Sequence, residues 1–155
     1  MADTAIVISP TRVSPLSEQE AAATGFNTKF NVVYSDILYG TGASDTVTMT
    51  LGATPGKWYA EKCLLNIGTA FTGITACTVI VGTTSSTAAF ISSVSILTAA
   101  TVNQAVGVPV LTNTTATAAV NLVATFTAAG TGGPAGLTAG NLSFYLNLHD
   151  ATKLP

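Results

Sequence analysis

Asp45-Thr46-Val47-Thr48-Met49-Thr50-Leu51 alternates between polar and apolar side chains at every step. A strand projects successive side chains to opposite faces, so Val47, Met49 and Leu51 point one way and Thr46, Thr48 and Thr50 the other. A period of two excludes a helix here and predicts a half-buried strand with a threonine outer face. Turn signals bound it on both sides, Gly40-Thr41-Gly42 before and Pro55-Gly56 after.

The same period recurs in both directions along the chain. Upstream, Phe30, Val32 and Tyr34 share a face; Asp36 and Leu38 follow, which suggests that the apolar set changes faces at a bulge. Downstream, residues 58–67 form a strand with Cys63, Leu65 and Ile67 inward, and residues 68–73 a loop around Phe71. Cys77, Val79 and Val81 line the next strand, which ends at Gly82. After a turn over 83–87, Phe90, Val94 and Ile96 line another. Residues 97–105 read as a loop, and Val106, Val108 and Val110 as a short strand. Pro109 cannot donate to a ladder and places that strand at a sheet edge or end. Val120, Leu122, Ala124 and Phe126 make the seventh, and Leu142, Phe144, Leu146 and Leu148 the eighth. Between these two, residues 130–140 are rich in Gly, contain Pro134 and read as a mobile loop.

Eight short strands without a helix in the body predict an all-β, antiparallel β-sandwich, and the count favours a jelly roll. This domain spans 27–155. Residues 1–26 read as an N-terminal arm. Within it, residues 5–9 are a short apolar strand stopped by Pro10, and Ser17 with Glu20 fits a capping box for a short helix ending near Gly25. The arm is either a frayed terminus or a segment whose Ile6, Val7 and Ile8 add a strand to a neighbouring subunit.

Charge is the second signal. Of 155 residues, 8% are charged against a usual share of about 25%. Residues 63–149 contain no Asp, Glu, Lys or Arg. Soluble domains normally scatter both signs of charge over their surface to stay apart, and here that happens only toward the two ends. The net charge of −2 offers no basic surface for nucleic acid. Mean hydropathy is positive, yet the longest apolar runs, 105–111 and 116–124, fall far short of the roughly 20 residues of a spanning helix. With aromatic residues at 7% and no girdle pattern, a membrane barrel is not expected either. The start shows no basic segment followed by a long apolar one, so no signal peptide is expected.

Catalysis requires convergent groups with tuned pKa values. The seven acids, Asp3, Glu18, Glu20, Asp36, Asp45, Glu61 and Asp150, show no EF-hand spacing, and no HExxH is present. The single His149 falls on the polar face of the last strand and reads as a surface or interface residue. No GxSxG frames a serine, and no GK[ST] follows the Gly-rich segment. Neither an enzyme nor a cofactor or metal is expected. Cys63 and Cys77 form no CxxC and read as buried thiols; a disulfide would need their strands to be neighbours. Trp58 and Tyr59 open a strand, where one packs inward or the exposed pair anchors a partner.

A family likeness joins these readings. Residues 47–52, Pro55-Gly56-Lys57-Trp58-Tyr59, Ala70-Phe71-Thr72-Gly73, residues 77–82, Ala88-Ala89-Phe90-Ile91 and the closing residues 140–146 resemble small β-rich virion proteins of tailed bacteriophages, over about two thirds of the chain. That resemblance implies a capsid decoration or cement protein with a jelly-roll fold, made in the host cytoplasm and carried on the outside of the head shell. Its partners would be the major capsid protein or other virion subunits, and itself as a homo-oligomer, dimer or trimer. A tail or fibre component has the same composition. A carbohydrate-binding sandwich would need an aromatic platform, which Trp58, Tyr59 and Tyr145 would have to supply.

Overall fold

Alternation of β-branched and aromatic residues with small polar ones is realised as strands throughout a computed structural model, which describes residues 4–7, 13–15, 26–38, 46–54, 58–104, 120–129 and 133–150. The strands are β1 (Thr4–Val7), β2 (Val13–Pro15), β3 (Thr28–Val33), β4 (Thr46–Thr54) and β5 (Trp58–Thr72). They continue as β6 (Ala76–Thr83), β7 (Ser86–Ser95), β8 (Ala100–Gln104), β9 (Val120–Ala129) and β10 (Ala139–Asp150). Sheet A has the order β1-β4-β9-β6-β7, and sheet B the order β2-β3-β10-β5-β8. Every pairing is antiparallel except β1 with β4.

The pairings are nested. β6 turns directly into β7 through Thr84 and Ser85; outside that pair β5 meets β8, then β4 meets β9, and β3 meets β10. Residues 28–150 are thus one long hairpin. Rolled up, it lays β10 beside β5 and β9 beside β6, which deals alternate strands into two facing sheets. An eight-stranded antiparallel sandwich with this order is a jelly roll. β1 and β2 are additions from the N-terminal segment, one at the edge of each sheet.

The core fills the space between the sheets. Sheet A contributes Val47, Met49, Leu51, Cys77, Val79, Val81, Leu122, Ala124 and Phe126. Sheet B contributes Phe30, Val32, Cys63, Leu65, Ile67, Leu142, Phe144 and Leu146. These are the inward positions that the period of two predicts. Phe71, Phe126 and Phe144 are among the largest fully buried side chains, and each such ring stabilises the fold by about 1.5–3 kcal/mol relative to exposure.

Four expectations need correction. Residues 69–72 are not a loop: β5 runs on to Thr72 and Phe71 is buried. Gly68 misleads because it answers a close approach rather than a turn; a Cβ there would lie 2.6 Å from Asn141 Oδ1. Residues 100–104 are not a loop either but edge strand β8, paired to β5 with Val102 opposite Leu65. Backbone pairing overrides their weak local pattern.

At the end of β3 a 3-10 turn, Tyr34–Asp36, replaces the expected bulge; the Val33 N–H donates to Asp36 Oδ2 at 2.9 Å and Ile37 is buried. The described part of the Gly-rich segment is packed rather than loose. Pro134–Gly136 forms a second 3-10 turn, Pro134 and Leu137 are buried, and the Thr138 N–H donates to the Thr72 carbonyl at 2.9 Å. Gly140 starts β10 at a φ of +132°, with the Phe71 ring only 2.4 Å from where a Cβ would be. In β7, Ile91 is buried beside Phe90 because the ladder to β6 is bulged. The expected strand at 106–110 and the arm helix at 17–25 lie outside the described residues.

Candidate assembly interface

The inward side chains are spent on the core, so function falls to the two outer sheet faces. On sheet A the pairing register sets threonines in rows across the strands. Thr46 of β4 stands opposite Thr127 of β9, which stands opposite Thr78 of β6, which stands opposite Ser95 of β7. The next row runs Thr48, Thr125 and Ile80, with the Thr48 and Thr125 hydroxyls 3.2 Å apart. Thr127 is exposed and the other members of these two rows on β4, β9 and β6 are half-buried. At the far end the face is closed. Gly82 opposes Val123, the backbone of Ser86 and Thr87 occupies the space of a Gly82 Cβ, and Val123 is buried although its position points outward.

Sheet B is different in chemistry. Its outer face carries the row Asn31, Ser143 and Asn66, with Ser143 Oγ donating to Asn31 Oδ1 at 2.8 Å. Asn141 Nδ2 donates to Thr69 Oγ1 at 3.2 Å. Lys29 opposes Tyr145, with its Nζ 5.2 Å from the ring centroid, and the Phe26 ring lies 6.0 Å from the same centroid at a tilt. A cation at that distance over the ring is a favourable contact. Tyr145 is therefore already engaged and is a poor stacking platform for a sugar.

Charge separates the sheets. Strands β1, β4, β9, β6 and β7 contain no Asp, Glu, Lys, Arg or His. Lys29, Glu61, Lys62, His149 and Asp150 all belong to sheet B. The gap seen in the sequence over 63–149 is thereby sharpened into a neutral sheet backed by a charged one.

The residues singled out for contact are placed unequally. Ile6 and Val7 lie in β1, opposite Met49 and Thr50 of the same chain, so the arm strand completes its own sheet. Ile8 lies outside the described residues. Trp58 and Tyr59 open β5 opposite Asp150 and His149 at one end of sheet B. Sequence reasoning noted the threonine face of β4 but missed its partners on β9 and β6. Thr125 and Thr127, like Thr78, carry the same alternation, and only the strand order aligns them.

Both thiols are buried and free, Cys63 on sheet B and Cys77 on sheet A. Burial pushes each from an ordinary 9.0 up to about 12, which leaves no reactive thiolate at neutral pH. Among the described residues no three His, Cys, Asp or Glu side chains come together as metal ligands. No helix among them is long and apolar enough to cross a membrane. Comparison with protein-family profiles, with curated proteins and with solved structures returns no match.

Proposed function

We propose that this chain is a non-enzymatic structural protein of a virion, a decoration or cement protein that binds the outside of a phage head shell and stabilises it. The observation that carries the reading is the segregation of charge. A jelly roll with one wholly uncharged, threonine-rich sheet has a surface suited to permanent contact and no group suited to turnover. Viral capsid domains are among the proteins that use this fold, and the sequence likeness to small phage virion proteins points the same way. Threonine faces suit strands and make hydrogen bonds at an interface without the desolvation cost of charges.

Contacts of that kind depend little on ionic strength, because screening acts on charges. Particles carrying the protein are therefore expected to retain it when NaCl is raised from about 0.1 M to about 1 M, where the screening length falls from about 10 Å to about 3 Å. Retention is read by sedimenting the particles and assaying the pellet. Release at moderate salt argues against the proposal. A low-resolution map of the particle separates head from tail, and density on the tail or fibre would replace the decoration role with a tail role.

A further inference from the structure

We propose that the outer face of sheet A is where a second copy of this chain seats, face to face about a two-fold axis, through Thr46, Thr48, Thr78, Ile80, Thr125 and Thr127. This deepens the assembly reading and rests on its structural, non-catalytic part; it does not depend on which particle the protein decorates.

Three observations select the occupant. The first is charge. All five strands of sheet A are uncharged while sheet B carries Lys29, Glu61, Lys62, His149 and Asp150. A charged partner laid on sheet A would lose its hydration and find no counter-charge, which is costly. A neutral partner meets no such cost, and among the described strands the neutral sheet is this one.

The second is the chemistry of the hydroxyl. Threonine both donates and accepts, so a surface of threonines is complementary to a copy of itself. A face of lysines or of carboxylates is not. A two-fold contact sets each patch against its own image and so requires self-complementarity. Ile80, in the row with Thr48 and Thr125, adds an apolar centre to a polar surround.

The third is area. Four strands spaced about 4.8 Å apart, each with roughly eight residues rising about 3.3 Å, present a face of about 500 Å². Two copies would bury about 1,000 Å² in total, which reaches the threshold for a specific interface. The closed end at Gly82 and Val123 leaves the threonine rows as the open part of this face.

The test uses the full chain and charges placed on the face. Native mass spectrometry at about 10 μM is expected to show dimers or higher even-numbered species for the wild type. Thr125→Lys and Thr125→Glu, each with an unchanged circular dichroism spectrum, are expected to weaken self-association at least tenfold, since like charges meet across the axis. Mixing the two variants is expected to restore the pairing as a Lys–Glu heterodimer. Thr78→Lys mixed with Thr78→Glu is the second pair, should position 125 perturb folding. Ser143→Lys, on the outer face of sheet B, should leave association unchanged.

A wild type that stays monomeric overturns the proposal. So do Thr125 variants that stay oligomeric, loss without rescue in the mixtures, or disruption by Ser143→Lys alone. A Thr125→Lys protein that still self-associates but no longer binds particles would assign the face to the shell, again overturning it. Intact self-association with failure of the wild type to bind any particle would instead remove the decoration reading and leave this contact standing.

Discussion

Cys63 and Cys77 show what burial does to a single group. Each lies in the core with its thiol pushed from 9.0 to about 12 by desolvation. In the unfolded chain the thiols ionise near 9.0, so between that pH and about 12 the unfolded state binds fewer protons than the folded one. Stability falls as pH rises through that window, by up to about 1.4 kcal/mol per pH unit for each thiol, and is unaffected by them below it. Urea midpoints compared for the wild type and the Cys63→Ala, Cys77→Ala double variant should differ in slope only above pH 9. A difference that is flat up to pH 11 would contradict the burial. Sequence spacing rightly read these residues as inward-facing, because side-chain direction follows the period of two. Their separation into two sheets was not legible, since it depends on strand order.

At the scale of elements, Asn27 does the work of one more residue of ladder. Its Nδ2 donates to the Leu148 carbonyl at 2.6 Å and its Oδ1 accepts the Leu148 N–H at 3.0 Å, just beyond the β3 and β10 pairing. The side-chain amide thereby imitates a paired peptide unit. Asn27→Ala removes two hydrogen bonds and is expected to cost about 1–3 kcal/mol. The drop is read in a denaturant melt, together with faster hydrogen exchange at the Leu148 amide. An unchanged exchange rate at Leu148 would mean the pair contributes nothing. Such an element end was invisible in the sequence, where Asn27 looks like any loop residue. Glycine misled in the same way: Gly68 reads as a turn but makes room for Asn141, and residues 133–138 read as loose but close over Thr72 and Ile74. Local chemistry marks where a small residue stands, whereas the reason is a neighbour far along the chain.

For the whole molecule, the decisive strand is the last. β10 is flanked by β3, from the start of the domain, and by β5, so the centre of sheet B is incomplete until the chain's end is in place. A chain ended after Thr138 loses Leu142, Phe144 and Leu146 from the core and strands the inner edges of β3 and β5. It is expected not to fold, with loss of the cooperative melt and rapid proteolysis. A cooperative transition in that truncated chain would contradict the nested pairing. The full chain should fold slowly, on the millisecond-to-second scale of proteins dominated by distant contacts, because closing β3 onto β10 comes at a large entropic cost.

Sequence by itself determined the class of fold and nearly all of the core, because the direction of a side chain on a strand is local and repeats every second residue. It also determined that charge is scarce and confined toward the ends. Only the tertiary structure decided that the neutral strands gather on one sheet and the charged ones on the other. Neighbours in a rolled hairpin are chosen by its nesting, and residues as distant as Thr48 and Thr125 become adjacent only when it closes.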